Sequence, residues 1–197
     1  MNCVDLNAAT RDLLPADCTA CTWWQQEAGG AAEAASRPAW EASVEAEAGM
    51  FGRALLDGGN VLGWMQAAPA ALVRRGLPTG PPSPDSYLLA CAFFYDEQFL
   101  TGFQTLLLDV IAAVKLRHAA ALEAYALRRP RPDDRFVGYL HELNLFNSQV
   151  LEGSGFTRLR SAGKVGRYRL ELETIVAAPR RTRAVEQTGA QPATIPA

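Results

Sequence analysis

Residues 87–125 read YLLACAFFYDEQFLTGFQTLLLDVIAAVKLRHAAALEAY, and this stretch decides the fold. It opens on a continuous apolar run of strand length, rich in aromatic residues, which is typical of a strand buried on both faces. A short polar break follows, and then Leu107, Val110 and Ile111 recur at the spacing of one helical stripe. Another short apolar run closes the stretch. Strand, turn, helix and strand in this order predict a βαβ crossover whose two strands are parallel neighbours in one sheet.

The turn before this helix is the first clue to function. A turn that leads into a helix N-terminus presents backbone N–H groups without a partner in the helix, and these groups attract anions such as phosphate. Thr101 and Gly102 lie in the predicted turn, and the only charged residues of DEQFLTGFQ are Asp96 and Glu97. Each carboxylate opposes a phosphate by up to about 1 kcal/mol when solvated, and the helix dipole offsets about 0.3–1 kcal/mol. The sequence therefore predicts weak anion binding at this turn.

The composition is that of one globular domain with a sizeable core. The chain has 197 residues, of which 49% are hydrophobic and 20% charged, and its formal net charge is −2 at pH 7. This balance, without a basic stripe, argues against nucleic acid as the main partner. No apolar segment reaches the roughly 20 residues of a membrane span, and MNCVDLNAATRDLL lacks the pattern of a signal peptide. We therefore expect a cytoplasmic protein without a nucleic-acid or membrane partner.

The four cysteines fit a reducing compartment. Cys18 and Cys21 form a lone CxxC, whereas zinc sites usually need two such pairs or a pair of histidines, and the two histidines of this chain lie far away in sequence. A redox CxxC would need a strand-to-helix turn inside a βαβ unit. We therefore expect two reduced thiols near the indoles of Trp23 and Trp24 and no metal, with metal binding or redox chemistry as the alternatives.

The N-terminal part of the chain is predicted to be loosely organised. Residues 1–17 are poorly patterned, CTACTWW (18–24) favours a first strand, and residues 25–36 are low in complexity. Pro38 then opens a helix at its first turn, and Gly49 ends it.

A hairpin and a long loop separate this helix from the central stretch. Two apolar strands flank Asp57-Gly58-Gly59-Asn60, whose glycines supply the positive φ that a tight hairpin requires. The segment LPTGPPSPDS (77–86) contains four prolines and is predicted to be a loop. Such a loop is a candidate lid or recognition segment, with a plain surface connection as the alternative.

After the crossover the chain is predicted to form a loop, a helix and a second hairpin. RRPRPDD (128–134) indicates the loop, and residues 139–152 the helix, which Gly153-Ser154-Gly155 ends. Residues 156–160 and 165–173 alternate as the strands of a hairpin. The predicted organisation is an N-terminal strand and loose segment (1–37), a core (38–176) and a disordered tail (177–197).

The order of these elements resembles the GNAT superfamily of acyl-CoA-dependent N-acyltransferases, and within it a set of actinobacterial proteins. Three motifs carry the resemblance: the GRALLDGGNVLGWMQ hairpin, the LLACAFFYDEQF passage from strand to turn, and LEGSGFTRLRS with its Gly-Phe before the last hairpin. The resemblance implies an α/β (α+β) fold. Its central sheet would be mixed and mostly antiparallel, with a parallel βαβ unit and helices on both faces.

The resemblance also implies a substrate site. In GNAT proteins the acyl-CoA lies in a splay between the central strand and the next parallel strand, and its pyrophosphate rests on the N-terminus of the following helix. The implied cofactor is acetyl-CoA, and the implied partner is a small-molecule or peptide amine. Sheet-edge dimers are common in this fold, so the resemblance also allows a homodimer or a heterodimer. The residues that the resemblance places against the cofactor are Phe93, Tyr95, Leu100, Thr101, Gly102, Phe103, Gln104 and Asn144.

The pyrophosphate loop of this chain departs from the family pattern Q/R-x-x-G-x-G/A in either register. If Gln98 takes the first position, the two glycine positions hold Thr101 and Phe103. In the other register Gly102 is kept, but the last position holds Gln104. Glycines in this loop let the backbone approach the phosphates without a Cβ between them. Both registers therefore predict weakened acyl-CoA binding.

The acid–base residues of the family are also replaced. Many GNAT enzymes use as general acid a tyrosine four residues before the late Gly-Phe, and counting back from Gly155 this position holds Leu151. Glu97 and Glu123 are the carboxylates available as a water-mediated base, and Glu123 is the candidate that we take.

Two functions remain open on the sequence. The first is an N-acyltransferase that moves an acetyl group from acetyl-CoA to an amine. The second is a catalytically degenerate binding or interaction module with the same fold, either an acyl-CoA sensor or the partner of a catalytic homologue. Phe99 and Phe103 favour the second function, since they could fill the space where phosphates would lie.

Overall fold

The computed structural model of this chain describes residues 1–27, 36–95, 100–130 and 137–175. Its helices are α1 (Ala16–Ala20), α2 (Arg37–Ala48), α3 (Leu100–Lys115) and α4 (Ser148–Gly153), with short 3-10 turns at Ala8–Leu13, Ala70–Leu72 and His141–Leu143. Its strands are β1 (Asn2–Leu6), β2 (Gly52–Asp57), β3 (Asn60–Pro69), β4 (Ser86–Phe94), β5 (Ala121–Leu127), β6 (Tyr139–Leu140), β7 (Leu145–Asn147), β8 (Thr157–Ala162) and β9 (Val165–Glu171).

All of these strands belong to one mixed sheet. Strands β1 to β4 pair antiparallel in chain order, and β4 pairs parallel with β5 through the α3 crossover. On its other edge β5 pairs antiparallel with β9, which in turn pairs with β8. The short β7 pairs parallel with the end of β5, and β6 pairs antiparallel with β7. The predicted mixed sheet with a parallel βαβ unit is confirmed.

Helices cover both faces of this sheet. Phe93 and Phe94 are consecutive in β4 and so lie on opposite faces. Phe94 contacts Phe103 of α3, with ring centroids 5.7 Å apart, so α3 covers one face. The opposite face carries Gln66, which accepts a hydrogen bond from Arg37 of α2. The site described below lies on this second face.

The central helix begins earlier than the sequence predicts. Helix α3 starts at Leu100, so the four residues from Thr101 to Gln104 form its first turn instead of a loop before it. Gly102 and Phe103 are buried, whereas Thr101 and Gln104 are exposed. The apolar stripe of the helix therefore extends back to Phe103, and this burial makes the first turn helical. The predicted turn residues Asp96 to Phe99 lie outside the described residues.

The predicted strand at 18–24 is wrong. Residues 16–20 form the short helix α1, and a turn follows at Trp23 and Trp24. Trp24 is buried and stacks on Tyr125, so the aromatic residues of this segment serve tertiary packing and not a ladder. The first strand is β1 instead, in a segment that the sequence leaves without a pattern. It pairs with β2 from Asn2↔Leu56 to Leu6↔Gly52.

The predicted helix over 139–152 is only partly correct. The helix is confined to α4, and the residues before it form β6, a 3-10 turn and β7. Asn144 ends the turn in the left-handed conformation, with φ of 51°, which a helix cannot continue through. The apolar residues on either side of the turn pair with each other as strands.

Other local predictions are confirmed. Helix α2 ends at Gly49, which has φ of 72°. The β2–β3 and β8–β9 hairpins form where they were predicted, and residues 78–85 are a loop. The low-complexity residues 28–35 and the tail from residue 177 lie outside the described residues. Within the described ranges, no helix is both long enough and apolar enough to cross a membrane.

Candidate active site

The parallel strands β4 and β5 diverge halfway along β4. Their pairing ends at Leu89↔Ala124, although β4 continues to Phe94. Strand β9 follows the other edge of β5 over its whole length. The backbone of residues 90–94 therefore faces a wedge-shaped gap on the side where β5 would otherwise continue the ladder.

A β-bulge lies at the point of divergence. Gln66 of β3 pairs with Cys91 of β4, and the next residue, Ala67, pairs with Leu89, so Ala90 is an extra residue in β4. A bulge of this kind bends its strand and interrupts the ladder. It therefore explains why β4 leaves β5 directly after Leu89.

Strand β7 and three phenylalanine rings fill the wedge on the α3 side. Phe146 of β7 pairs with Ala126 near the end of β5. The ring of Phe103 lies between the rings of Phe94 and Phe146, with centroids 5.7 and 6.3 Å away. It also lies against Gly138, where a Cβ would come within 2.3 Å of the ring. The space that the sequence suggested for phosphates is therefore occupied, at this end, by an apolar cluster that includes Phe103.

The opposite face of the sheet carries a cavity of about 90 Å³. Its floor is formed by β3 and β4, where Trp64 pairs with Phe93 and Gln66 with Cys91. Its walls come from the N-terminal segment, from α2 and from the turn between β6 and β7. The bulged strand β4 thus lies directly beneath this cavity.

A buried polar cluster lies at the floor of the cavity. Arg37 donates from Nη1 to Oε1 of Gln66 at 2.7 Å and from Nε to Glu41 at 2.6 Å. Arg11 donates to the other oxygen of Glu41, also at 2.6 Å. Since two guanidinium groups share one carboxylate, the cluster keeps one net positive charge.

Several polar atoms of the cavity have no hydrogen-bond partner among the described residues. They are Nε2 of Gln66, Nη2 of Arg37 and both amide atoms of Gln25. These side chains are buried, with 0%, 4% and 1% of their surface exposed. Buried polar groups in native proteins are nearly always paired, so such a cluster calls for an explanation.

Three aromatic donors surround this cluster. The indole N–H of Trp24 lies near the hydroxyl of Tyr139, and that of Trp64 lies near the thiol of Cys18. None of the three aromatic donors forms a hydrogen bond of normal geometry within the described part of the chain. The cavity is thus lined by aromatic rings whose polar atoms are donors.

Burial favours the protonated form of two thiols at the cavity, Cys18 and Cys91. Burial raises the pKa of Cys18 to about 11, and burial also raises the pKa of Cys91 far above that of a free thiol. Cys91 contacts Oε1 of Gln66 through Sγ at 3.9 Å. Within the described ranges, no group of three or more His, Cys, Asp or Glu side chains could hold a metal ion. A neutral thiol is a poor nucleophile and a poor metal ligand, so these cysteines act as apolar lining.

Of the sequence-predicted site residues whose side chains the structure describes, two lie at the cavity. Phe93 and Asn144 both line it. Tyr95 lies just beyond the end of β4, is 60% exposed and packs edge-on against Phe93. Asn144 is not the residue that starts a helix, because the cap of α4 is Asn147, whose side chain accepts from the backbone of Gln149 at 2.9 Å. The other predicted contacts, residues 100–104, lie in the first turn of α3.

Glu123 lies apart from the cavity and is enclosed by arginines. Its side chain is 0% exposed and accepts from Arg169 at 3.2 Å and from the backbone of Ser83 at 3.2 Å. Arg167 lies 3.6 Å away. Hydrogen bonds to Asp85 raise the pKa of Arg169, which therefore remains charged. In these surroundings Glu123 joins β5 to β9 and to the 77–86 loop, and we assign it no proton transfer.

Sequence reasoning missed most of the cavity. Gln66 is a polar residue in the middle of the apolar strand GWMQAAP, which is a signal that the sequence does carry. Arg37 and Glu41 have the i,i+4 spacing of a helical ion pair. His141 lines the cavity together with Tyr139, whose ring centroid lies 5.1 Å from the imidazole.

The central strand is bulged and diverges from its parallel neighbour, and a helix connects the two strands. The chain has the GNAT fold. The GphF GNAT-like decarboxylase, solved in complex with isobutyryl-CoA, superposes with a TM-score of 0.51 at 18% identity, over 87% of this chain and 100% of that chain. The resemblance predicted from the sequence is confirmed at the level of the fold.

Two further solved structures are similar to this chain at lower TM-scores. YncA from Salmonella typhimurium, solved with its cofactor acetyl-CoA, has a TM-score of 0.48 at 14% identity, over 89% of this chain and 96% of that chain. The PaiA N-acetyltransferase from Thermoplasma acidophilum, solved with coenzyme A, has a TM-score of 0.47 at 12% identity, over 86% and 98%. No protein-family model and no curated protein sequence matches this chain.

Proposed function

We propose that this protein is an N-acyltransferase that moves a short acyl group from acyl-CoA to an amine. The observation that carries the proposal is the coincidence of three features of β4. The strand bulges at Ala90, leaves β5 after Leu89 and forms part of the floor of a cavity with Phe93. Together they provide, within the described part of the chain, an unpaired strand edge for one reactant beside a small cavity for the other.

Acyl transfer from a thioester to an amine requires little covalent chemistry from the protein. Backbone N–H groups on the diverged edge of β4, over residues 90–94, can donate to the carbonyl oxygen of a thioester and stabilise the negative charge that develops there. Holding the amine close to that carbonyl supplies much of the remaining rate enhancement. The donor that we propose is acetyl-CoA, the cofactor that the resemblance in sequence implies, with its acetyl group at the diverged edge of β4.

The protein must also take a proton from the amine. His141 is our candidate for this step, because it is exposed at the turn that lines the cavity and lies with its ring 5.6 Å from that of Phe93. Imidazole is the side chain that exchanges protons most readily near neutral pH. The pyrophosphate would rest on the first turn of α3, where Thr101 and Gln104 are exposed.

A second function is favoured by a different observation. Phe103 fills the α3 side of the wedge, and Leu151, at the position of the family's general acid, is fully buried. These features favour a binding module that has the GNAT fold but no acyltransferase activity. Such a module would bind acyl-CoA weakly as a sensor or would associate with a catalytic homologue.

Calorimetric titration with acetyl-CoA, followed by chromatographic detection of released CoA with a panel of amines, separates the two functions. Chromatography is preferable to a thiol reagent because Cys21 is exposed and would react. The transferase predicts acetyl-CoA binding and CoA release that falls at least about tenfold in His141→Gln, with no change in the exposed neighbour control Glu142→Gln. Binding without release by any amine would support the module. No binding of acetyl-CoA and no release would contradict the transferase.

A further inference from the structure

We propose that the cavity whose floor is formed by β3 and β4 is a binding site for a small carboxylate. The acyl acceptor would then be an amine that carries a carboxylate, as a small amino acid does. The carboxylate site stands on the geometry of the cavity alone, whereas its role as the acceptor site rests on the proposed acyl transfer.

The unpartnered atoms of the cavity are mainly hydrogen-bond donors. Gln66 and Arg37 each keep one N–H-bearing nitrogen without a partner in the described part of the chain, and both side chains are almost completely buried. An unpaired donor in the interior is costly, so a site that retains several is built for a group that accepts from them. A carboxylate has two acceptor oxygens and can accept several such bonds at once.

Aromatic side chains in the walls of the cavity also carry hydrogen-bond donors without a partner among the described residues. Trp24, Trp64 and Tyr139 line the cavity, and their indole nitrogens and hydroxyl are buried atoms without a hydrogen-bond partner among the described residues. Trp24 is held in place by stacking on Tyr125 at 5.7 Å, and the Tyr125 hydroxyl donates to the carbonyl of Gly80 at 2.7 Å. The donors are therefore presented by side chains that already have fixed positions.

The charges around the cavity favour an anion over a cation. No Asp or Glu occurs among the described residues that line it. Below the floor, Arg37 and Arg11 share the single carboxylate of Glu41. Outside the lining, the Arg75 guanidinium lies 4.1 Å from the ring centroid of Trp23, and the carboxylate of Asp17 lies close enough to Cys18 to contribute to its raised pKa. Three guanidinium groups therefore stand against two carboxylates. This excess of positive charge attracts a carboxylate and disfavours a group with only positive charge.

The volume of the cavity and the amide oxygen of Gln25 together favour a small amino acid as the ligand. The volume of about 90 Å³ is below that of an engineered cavity of about 150 Å³ that holds benzene. Gln25 adds an unpartnered acceptor, Oε1, to the donors within the described residues. An amine can donate to this oxygen while the carboxylate occupies the donors. Alanine is the probe that matches this size and this set of groups.

Indole resonances provide a direct test, in the full-length protein and without acyl-CoA. The probes are alanine, propionate, which lacks the amine, and alaninamide, which lacks the carboxylate. We expect alanine and propionate to shift the indole N–H signals of Trp24 and Trp64. The signal of Trp40, which donates to the carbonyl of Leu72 at 2.7 Å, should not move and serves as the internal reference.

Affinities from these titrations decide the proposal. Alanine should bind at least about tenfold more tightly than alaninamide. Equal or tighter binding of alaninamide, or the absence of any Trp24 or Trp64 shift with alanine and propionate, would overturn the carboxylate site. Carboxylate binding without acetyl transfer would support the site and contradict the proposed function. Acetyl transfer to amines, without any shift of the Trp24 and Trp64 indole signals on addition of alanine or propionate, would support the proposed function and contradict the carboxylate site.

Two variants separate binding from folding. Gln25→Met removes two atoms that are unpartnered among the described residues, so its thermal midpoint should stay the same or rise while alanine affinity falls about tenfold. Gln66→Glu keeps the acceptor for Arg37 and places a negative charge in the floor, so propionate binding should be lost. Unchanged affinity in both variants would contradict the site.

Discussion

Arg37 donates a hydrogen bond from Nη1 to Oε1 of Gln66 at 2.7 Å and so joins helix α2 to strand β3 beneath the cavity. The bond engages the oxygen of the Gln66 amide, while the amide nitrogen has no hydrogen-bond partner among the described residues. Because Arg37 is almost completely buried, the loss of this acceptor has a cost in stability that can be measured.

Gln66→Leu should destabilise the protein by about 1–3 kcal/mol. It leaves Nη1 of Arg37 with only a longer bond of 3.3 Å to the carbonyl of Cys21 within the described part of the chain. Gln66→Glu is the matched control, since it keeps an acceptor for Arg37 and should cost less. Urea denaturation of both variants measures the difference in free energy of unfolding. Equal losses would mean that this hydrogen bond does not stabilise the fold.

Gly138→Ala should destabilise the protein by about 1–3 kcal/mol, because the added Cβ would meet the ring of Phe103 at 2.3 Å. The same substitution combined with Phe103→Leu should cost less than the sum of the two single changes, with a coupling of about 0.5–3 kcal/mol. Gly153→Ala is the control, because a Cβ there meets no described atom within 4 Å. Strictly additive losses would show that Phe103 does not close the wedge at Gly138.

Glu123→Ala should cost about 3–5 kcal/mol, since it removes the partner of two mostly buried arginines, Arg167 and Arg169. Glu171 also pairs with Arg169, but its side chain is 58% exposed. Glu171→Ala should therefore cost less than about 1 kcal/mol. Thermal and chemical denaturation compare the two variants. A Glu123→Ala protein as stable as Glu171→Ala would remove the structural role that we assign to Glu123.

Iodoacetamide should modify Cys21 well before Cys18 at pH 8. Cys21 is exposed, whereas burial raises the pKa of Cys18 to about 11. At pH 8 only about one Cys18 thiol in a thousand is then ionised, and its labelling rate should rise about tenfold per pH unit up to its pKa. Peptide mass spectrometry of timed samples measures both rates. Labelling of Cys18 as fast as Cys21 at pH 8 would contradict the assignment of Cys18 as inert lining.

The parts of the fold that the sequence predicts are those with a strong local pattern. The βαβ crossover, helix α2 and the Gly58-Gly59 hairpin each depend on residues close together in sequence. Strand β1 was not predicted because its partner β2 lies about fifty residues away and Asn2–Leu6 shows no clear alternation of apolar and polar residues. The strands β6 and β7 are two and three residues long, too short to show a period of two.

The candidate site was less predictable than the fold, for a related reason. Phe93 could be placed at the site because it belongs to the central strand. The cavity as a whole forms only when the N-terminal segment, with Trp24 and Gln25, folds over β3 and β4. Glu123 was chosen as a candidate base because it is an acidic residue in a strand. Its hydrogen-bond partner Arg169 lies 46 positions later, so the sequence pattern does not indicate that the two side chains pair.

The fixed positions of the cavity side chains have a kinetic consequence. Trp24 is held by Tyr125, and Arg37 is held by Glu41 and by the ring of Trp40, whose centroid lies 5.0 Å from the guanidinium carbon. Little side-chain entropy then remains to be lost when a guest enters. Related ligands should therefore associate at similar rates and differ mainly in their dissociation rates, so the order of their residence times should match the order of their affinities.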